Sequence, residues 1–460
     1  MRLIRRLRDA ALILAFALPA TRAGAQDPSP SPPPAQPSPP SEPEPFRLWG
    51  EIKTNARHSP FLETRIFTPT RPGAPVTFTP TGFQRTPDAG TALELQNVTL
   101  GAEGDLGLGV AAKVELHVLD LYNRNPTSLD DRLFVRQAWI RFGQKAEALR
   151  WAYESRLFVL AGMAPRFSKP TVRALESYGM WLTAVGRFEM PQVQLGGALG
   201  RRAYWRAQVG KGNPLYYRDT NVLAGDNGTR PSTLTPSPAY ETGFPIFYDA
   251  KADDLDTHGQ LEWGAGLGFR HVRPEPAHGL EADLLGWYFH RKMADAVVLR
   301  GTSDLGDLEL LRGKGYPLPF EGRDKSEAGL NVAARYGRWR LDAQLVRQDI
   351  AKLVRRGFDA ELSALIRLPG LFLVGETPVG NWIRPVVRVS IIDNLFDAPV
   401  TYPALSVDWD WRKYDFGLRL GLLRDVDLTV EFSRHDMIVP MRGTLHPDEF
   451  LVTLRVGLQH

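Results

Sequence analysis

Hydrophobic and polar residues alternate with a period of two along most of the chain after residue 46. In segment 108–119, Val110 and Val114 share one face, while Lys113 and Glu115 share the other. Such alternation is typical of β-strands that have one apolar and one polar face. One segment of this kind indicates only a half-buried strand, whereas a long series predicts a sheet built from many such strands.

Sixteen segments carry this pattern. The predicted strands are 46–54, 93–105, 108–119, 132–142, 156–163, 190–199, 203–211, 258–271, 279–291, 326–337, 338–350, 355–368, 381–393, 413–421, 426–435 and 448–459. Strands of roughly ten residues cross a bilayer when they are tilted, and an even number of antiparallel strands can close into a barrel. The sequence therefore predicts an all-β fold, a transmembrane antiparallel β-barrel of about 16 strands.

The connections between these segments separate a membrane barrel from a soluble β-sandwich, which would show the same periodicity. With the N-terminus in the periplasm, the outer connections are 55–92, 120–131, 164–189, 212–257, 292–325, 351–354, 394–412 and 436–447. The inner ones are 106–107, 143–155, 200–202, 272–278, Gly337, 369–380 and 422–425. Long connections fall mostly on one side, as in transmembrane barrels. The exceptions are 351–354, 143–155 and 369–380, and a register error around 355–380 is one interpretation of them.

The N-terminal region is typical of an exported protein. Residues 1–25 carry an arginine-rich start, an apolar core over Ala10–Ala20 and the small residues Ala23-Gly24-Ala25, which together predict a secretory signal peptide. A buried N-terminal helix is the alternative. Residues 26–45 contain ten prolines within 27–45 and predict an extended, disordered linker before the barrel at 46–460.

Composition and charge exclude several classes of protein. Charged residues make up 23% of the chain and hydrophobic residues 43%, which excludes a bundle of transmembrane helices but allows a barrel. The formal charge of +4 resides in residues 1–25, so the remaining chain is about neutral and nucleic acid is not expected as a partner. The chain has no cysteine, which excludes thiol catalysis and thiolate metal sites.

Aromatic residues lie within or near the ends of the predicted strands, as in the interfacial girdles of membrane barrels. The candidates are Trp139, Phe142, Trp205, Trp263, Trp287, Tyr288, Trp339, Trp382, Tyr414 and Phe416. The core of a sandwich would explain some of these positions equally well.

The polar strand faces predict a lumen of mixed charge. Basic candidates are Lys53, Lys113, Arg206, Arg270, Arg335, Arg340, Arg367, Arg384, Arg388, Arg419 and Arg455. Acidic candidates are Glu51, Glu115, Glu262, Glu281, Asp283, Asp342, Asp359, Glu361, Asp415, Asp427 and Glu431. Of the acids, Glu115, Asp342 and Asp427 are expected to pair with cations across strands.

Two basic groupings could form an anion path through the lumen. One comprises Arg384 and Arg388 on one strand beside Arg419 on the next, and the other comprises Arg166, Lys169 and Arg173 in the third outer connection. Pro170 followed by TVRALES predicts a short helix there, and a helix folded into the lumen would place its cations at the constriction. Each arginine has two interpretations, because it can select anions by its field or brace the wall by pairing with an acid.

Motifs of catalysis are missing from the sequence: it contains neither G-x-S-x-G nor H-E-x-x-H. The cluster Asp253, Asp254, Asp256 and His258 lacks the spacing of a calcium loop and is interpreted as a solvated acidic loop end. The sequence therefore predicts no enzyme, no cofactor and no metal site.

Several stretches resemble the phosphate-selective porin O and P family of Gram-negative bacteria. They are VRQAWIRFG (135–143), LAGMAPRFSKPTVRALES (160–177), GRFEMPQVQLGGALGRRAYWRAQVGKGN (186–213), WIRPVVRVSIIDN (382–394), DVDLTVEFSRHD (425–436) and EFLVTLRVGLQH (449–460). The resemblance implies a sixteen-stranded barrel in the outer membrane, usually a homotrimer, with anions passing a constriction formed by an infolded loop. The chain departs from the pattern at its last residue, His460 in place of the usual aromatic, and in its mixed lumen charge, which puts phosphate itself in doubt.

The function predicted from the sequence is passive diffusion of small hydrophilic solutes through an outer-membrane porin, with a weak lean toward anions. Its partners would be outer-membrane lipid and small anionic or polar solutes, and both termini would be periplasmic. The alternatives are a plugged or ligand-binding barrel, which inward aromatic clusters would favour through uptake of hydrophobic compounds, and, third, a barrel hydrolase.

Overall fold

The fold is taken from a computed structural model of the chain. The structure describes residues 46–60, 63–66, 82–85, 90–120, 134–170, 173–177, 179, 189–212, 215–217, 239–240, 246–249, 261–273, 279–292, 297–300, 324–350, 352–395, 410–439 and 443–459. The predicted signal peptide, the predicted linker and the acidic cluster at 253–258 lie outside these residues.

Sixteen long strands form one closed barrel. They are β1 (Phe46–Ser59), β2 (Gly90–Gly107), β3 (Val110–Asp120), β4 (Phe134–Phe142), β5 (Phe158–Pro165), β6 (Glu189–Ala198), β7 (Ala203–Gly210), β8 (Glu262–His271), β9 (Leu280–Lys292), β10 (Asp324–Tyr336), β11 (Trp339–Ile350), β12 (Leu353–Ala364), β13 (Trp382–Asn394), β14 (Asp410–Leu423), β15 (Val426–Val439) and β16 (Asp448–Gln459). Each predicted strand corresponds to one of these, so the predicted fold class is confirmed. The first part of the region 355–380 holds its register, because β12 pairs with β11 from Leu353 to Ala364 and with β13 from Arg355 to Ser363.

The barrel closes between its first and last strands. Trp49 of β1 pairs with Gly101 of β2 on one side and with Gln459 of β16 on the other, both antiparallel. Every other neighbouring pair is also antiparallel and sequential along the chain. A closed barrel has no unpaired strand edge, which is the condition for a sheet to lie in lipid.

The connections follow the predicted asymmetry. The end of the barrel where β1 begins and β16 ends is called the terminal end, and the opposite end the loop end. Two-residue turns at the terminal end include Leu108-Gly109, with φ of 53° and 75°, a conformation that matches the twist of a tight hairpin. The longest connections all lie at the loop end, apart from 143–157 and 365–381 at the terminal end.

Short strands occur inside the long connections, which the sequence analysis interpreted as loops. Glu63–Ile66, Gly82–Arg85 and Ala239–Tyr240 form one small sheet, and Leu215–Tyr217, Ile246–Asp249 and Val297–Arg300 form another. At the terminal end, Phe372–Val374 and Thr377–Val379 form a hairpin that turns at Gly375. Ile366–Arg367 extends the sheet beside β13, and Gly443–Leu445 extends it beside β15.

The two faces of the barrel are inverted relative to a soluble protein. Leu267 and Phe416 stand exposed on the outside, whereas Glu115, Lys413 and Asp415 are buried on the inside. This arrangement places apolar residues against lipid and charged residues in the lumen. Among the residues that the structure describes, no helix is long and apolar enough to span a bilayer.

Three predicted girdle residues face inward instead. Trp287 is buried and its indole donates to Asn331 Oδ1 at 2.9 Å. Trp139 lines the lumen cavity described below, and Trp382 lies on the same face as Arg384, its guanidinium 5.7 Å from the ring centroid. Hydropathy alone does not distinguish a Trp at the lipid interface from a Trp packed inside the barrel, so the strand register decides.

Candidate functional site: the barrel lumen

In its described residues, the connection after β5 folds into the barrel. Arg166, buried among strand residues, donates from Nε to Glu262 Oε1 at 2.7 Å and also pairs with Glu327. Ser168 accepts from Asn331 Nδ2 at 2.6 Å and from Gln344 Nε2 at 3.2 Å through its carbonyl oxygen. These contacts fix the start of the loop along β8, β10 and β11.

The loop then reaches the wall formed by β12 to β15. The amide of Ala174 donates to Glu361 Oε1 at 2.7 Å, and Ser177 donates to Glu431 from its amide at 3.2 Å and from its hydroxyl at 2.5 Å. Leu175 packs directly over Gly417, where a Cβ would come within 2.3 Å of its side chain. The described part of the loop therefore occupies part of the lumen, and carboxylates of the wall hold it at Arg166 and at Ser177.

The predicted helix in this loop is wrong for residues 173–177, which form a bend. The reason is visible in the hydrogen bonds: the amides of Ala174, Glu176 and Ser177 bond to Glu361 and Glu431 on the barrel wall. Amides that donate to carboxylates of the wall are not available for the i→i−4 hydrogen bonds of a helix. Residues 171, 172 and 178 lie outside the described part.

Arg388 braces both the wall and the loop. Its Nε donates to Asp415 Oδ2 at 2.8 Å, and its Nη atoms donate to the carbonyl and hydroxyl oxygens of Ser177 at 2.9 and 2.7 Å. Its guanidinium also lies 3.7 Å from Glu361. The charge of Arg388 is thus compensated.

Arg419 has the same kind of role. It makes a two-point contact with Asp427 at 2.9 and 3.0 Å and donates to the carbonyl oxygen of Ala174 at 3.2 Å. Asp427 also pairs with Arg455, so the predicted cross-strand pairing of this acid is present.

Arg384 differs from these two arginines. It lies opposite Arg419 in the strand register and over the ring of Trp382. No carboxylate of the described ranges lies within 4.0 Å of its guanidinium. Of the three arginines in the first predicted grouping, the structure therefore leaves one uncompensated.

Most of the other predicted cations of the wall pair with acids. Arg335 pairs with Glu281, Arg340 with Asp342 at 2.6 Å, Lys113 with Glu115 at 2.8 Å, Arg270 with Asp283 at 2.5 Å, and Arg206 with Glu154. Asp342 finds its partner on its own strand, because residues two apart share a face. Glu115 pairs with Lys113 on its own strand and also across strands with Arg136 of β4, at 3.8 Å, as predicted. Most wall cations thus brace the barrel.

The cations of the infolded loop are also engaged. Lys169 lies 2.5 Å from Glu189, and Arg173 is among the charges that act on Glu176. Burial alone would raise the pKa of Glu176, but Lys53, at 2.9 Å, together with Arg419 lowers it to about 2. Glu176 is therefore an anionic anchor of the loop that the sequence analysis did not single out.

Aromatic rings lie flat on glycines of the neighbouring strand around the lumen. The directly paired residues are Trp49 with Gly101, Phe158 with Gly196, Tyr204 with Gly268, Phe289 with Gly264, Trp287 with Gly329 and Trp382 with Gly421. In each pair a Cβ on the glycine would come within 2.6 Å of the ring. Glycine lets each ring lie against the wall, so the ring covers exposed backbone and projects less into the lumen.

The connection 143–157 also folds into the barrel, which the sequence analysis missed. Glu154 is buried between Arg206 and Arg270, 3.1 Å from the latter, and Ala146 and Leu149 are buried. The only sequence signal was the length of this connection, which exceeds that of the neighbouring turns at the terminal end. Contacts between a turn and distant strands leave no local pattern in the sequence.

Lys145 of this segment lies among other cations. Its Nζ donates to Gln194 Oε1 at 3.2 Å and lies 5.9 Å from the ring centroid of Phe158. Burial lowers the pKa of Lys145 to about 7, and the nearby Arg206 and Arg141 act in the same direction.

A cavity of about 1210 Å³ remains between the infolded loop, the segment 143–157 and the barrel wall. Its lining includes eleven Lys and Arg residues and seven Asp and Glu residues. All three cations of the predicted loop grouping line it, as do Lys113, Arg206 and Arg270. Cations therefore outnumber acids around this cavity, although the sequence predicts equal numbers over the whole lumen.

The barrel has counterparts among solved outer-membrane proteins. The high-pH structure of OprB from Pseudomonas putida aligns with a TM-score of 0.50 and 10% identity, over 90% of this chain and 94% of that chain. The channel DcaP of Acinetobacter baumannii (TM-score 0.48, 10% identity, 90% and 97% covered) and an anion-selective porin from Comamonas acidovorans (0.44, 11%, 90% and 99%) are also similar. No protein-family model and no curated protein sequence matches the chain. At this level of identity the likeness to OprB shows the fold alone.

Proposed function

We propose that the protein is a porin of the Gram-negative outer membrane that lets small hydrophilic solutes diffuse passively, with a preference for anions. The observation that carries the proposal is the cavity inside the closed barrel, where eleven cations face seven acids. A pore selects ions through the local field of its lining, so an excess of cations favours anions. Arg384, which no described carboxylate neutralises, adds to that field.

The exterior of the barrel supports the membrane location. Exposed leucines and phenylalanines such as Leu267, Phe416 and Phe450 alternate with buried polar residues, and lipid is the solvent that such a surface requires. In this proposal both termini are periplasmic, residues 1–25 are the export signal, and residues 26–45 are a spacer. A homotrimer is part of the proposal through the resemblance to the phosphate-selective porins O and P.

The solute class within the anions does not follow from that resemblance. In the described lumen most arginines carry a carboxylate partner, as Arg388 does with Asp415 and Arg419 with Asp427. Such paired arginines are poor phosphate ligands because their donors are already engaged. We propose no catalytic role: His435, for instance, accepts from Trp411 at 3.0 Å and bonds to Glu449 at 3.0 Å, which uses both ring nitrogens.

The test is single-channel recording of the refolded protein in a planar bilayer, with a salt gradient to give the reversal potential. Stable ohmic steps and a reversal potential of the sign for anions are expected. Conductance steps with a reversal potential of the sign for cations would contradict the anion preference but would still support the porin function. The absence of conductance from a folded, heat-modifiable barrel would contradict the porin function itself.

A closed, ligand-binding barrel is the second candidate, and one observation favours it. Phe167 of the infolded loop packs with its ring 4.8 Å from Phe289, next to Trp287, inside the barrel. Such inward aromatic packing is suited to holding a loop in place or to binding an apolar solute. A folded barrel that shows no conductance but binds a solute would favour this candidate.

A further inference from the structure

The cavity has one wall, formed by β1 to β4, that combines aromatic faces with cations. Trp49 on β1 and Trp139 on β4 are both half-buried and line the cavity. Lys113 of β3 lies 5.5 Å from the ring centroid of Trp49 and pairs in register with Trp139. We call Trp49, Trp139, Arg141 and Lys145 the aromatic–cation chamber.

The indoles of the chamber are held as platforms. The indole of Trp49 lies flat over Gly101, so one face rests on the wall, and Lys113 Nζ lies over the ring, 5.5 Å from its centroid. Trp139 packs against the cluster of Phe158, Leu160 and Ala164, and its Nε1 donates to Gln137 at 3.2 Å. A fixed ring in the cavity wall is suited to contact with a flat apolar group of a solute.

Two cations of the chamber form no close ion pair with an acid of the described residues. Arg141 donates from Nε to the carbonyl oxygen of Gly143 at 3.0 Å, and Lys145 donates to the side-chain oxygen of Gln194. In the described ranges no carboxylate lies within 4.0 Å of either side chain. Arg141 lies over the ring of Trp139, its guanidinium carbon 5.7 Å from the ring centroid, so a cation and an indole occur together in the cavity wall.

We propose that this chamber binds organic anions that carry a flat apolar group, with aromatic carboxylates as the type. The carboxylate would pair with Arg141 and Lys145, and the ring would stack on Trp139 or Trp49. The inference rests on the proposed porin function, because it names the solute class that the same lumen favours.

A small inorganic anion would use only half of this arrangement. It would meet the cations but leave both indole faces in water. A neutral aromatic compound would meet the indoles but leave Arg141 and Lys145 without a counter-charge. The two features occur together within one cavity, which is what an anion with an apolar ring requires. The lowered pKa of Lys145 fits this assignment. Burial and the nearby Arg206 and Arg141 disfavour the protonated form of Lys145, and a bound anion would stabilise that form.

The experiment measures block of the chloride current by sodium benzoate, sodium acetate and benzyl alcohol in planar bilayers. Benzoate is expected to block at a concentration roughly three- to tenfold lower than acetate, the range that a stacked aromatic pair provides. Benzyl alcohol is expected to block more weakly than benzoate. Equal block by benzoate and acetate would show that the rings contribute nothing. Equal block by benzoate and benzyl alcohol would show that the charges contribute nothing. Either result would overturn the proposal.

Two variants test the residues. Trp139→Leu and Arg141→Gln are each expected to move the half-blocking benzoate concentration toward that of acetate. Trp205→Leu, which changes an indole on the outer face of β7, is expected to leave it unchanged. Conducting Trp139→Leu and Arg141→Gln channels with unaltered benzoate block would overturn the proposal.

A silent barrel would contradict the porin but not yet the chamber. Titration calorimetry of the refolded wild-type protein with benzoate and with acetate then decides. Preferential heat of binding for benzoate, lost in Arg141→Gln, would support the chamber in a closed barrel. Absence of a difference between the two anions would overturn it.

Discussion

At the scale of single residues, arginines of the lumen divide according to whether a carboxylate compensates them. Arg388 is buried with Asp415 at 2.8 Å and holds the loop at Ser177, whereas Arg384 lies over Trp382 with no described carboxylate within 4.0 Å. A buried charge without a counter-charge projects its field into the lumen, while a paired charge largely cancels. We therefore propose that Arg384 contributes to selection, whereas Arg388 braces the wall and the loop.

Arg384→Gln is expected to lower the ratio of anion to cation permeability by up to about twofold, because it removes an uncompensated charge from the pore lining. The reversal potential in a KCl gradient measures this ratio. Arg347→Gln, the same change on the exposed outer side of β11, serves as the control. An equal reversal potential for wild type and Arg384→Gln would refute selection by this residue.

Anion preference is also expected to depend on pH near neutrality through Lys145. Its pKa of about 7 is set by burial, by Arg206 and Arg141, and against them by Glu147 and Glu154. The side chain is charged below this pH and neutral above it, so anion preference should fall as the pH rises from 6 to 8.

Reversal potentials measured from pH 6 to 8 test this expectation. Lys145→Gln should remove most of the dependence, whereas Lys352→Gln, at an exposed turn of the loop end, should keep it. Undiminished pH dependence in Lys145→Gln would assign the titration to another group.

At the scale of elements, the infolded loop has no regular structure of its own in residues 173–177 and owes its position to the wall. Glu431 accepts from the amide and the hydroxyl of Ser177, and Glu361 accepts from the amide of Ala174. Backbone groups inside a protein must find partners, and here buried carboxylates provide them.

Glu431→Ala is therefore expected to loosen the loop, giving larger or noisier single-channel conductance. Thr453→Ala provides the matched control, because Thr453 is equally buried on the neighbouring strand β16 and bonds to Asn55 at 2.8 Å. Unchanged conductance and noise in Glu431→Ala would mean that other contacts suffice to hold the loop.

Glycine–aromatic pairs are a second device at this scale. A methyl group on Gly268 would come within 2.0 Å of the ring of Tyr204, whose hydroxyl donates to Asp283 at 2.6 Å. The ring could yield only by giving up that hydrogen bond, so Gly268→Ala is expected to destabilise the barrel by about 1–3 kcal/mol.

Heat-modifiable gel mobility and urea unfolding in detergent measure that loss. Gly286→Ala is the control, since a Cβ at Gly286 would meet only Leu267 O at 3.9 Å. Equal stability of the two variants would show that the ring adapts without cost.

At the scale of the whole molecule, closure is complete within the barrel segment. β1 begins at Phe46 and pairs with both β2 and β16, so the sixteen described strands close the barrel among themselves. A chain that begins at Glu44 is therefore expected to refold into a heat-modifiable barrel with the same single-channel conductance as the longer chain. Failure of this shorter chain to refold would show that the preceding residues contribute to folding.

The sequence by itself determined the architecture. Period-two alternation, as in Val110 to His117, marked all sixteen strands, because in a barrel each strand must place apolar residues toward lipid and polar residues toward the lumen. The asymmetry of the connections was also predicted correctly. These features are encoded locally or by chain order.

Tertiary structure alone decided which charges of the lumen have an opposite charge beside them and which do not. Arg384 and Arg388 lie four residues apart on one face and look alike in the sequence, but only the register with β12 and β14 gives Arg388 its acids Glu361 and Asp415. In the same way, only the closed barrel brings Glu154 to Arg206 and rests Trp49 on Gly101. Such contacts join positions far apart in the chain, and the interaction of two charges depends on their distance in space. For that reason the alternation of apolar and polar residues determines which face of each strand is apolar, whereas the electric field inside the pore depends on the folded structure.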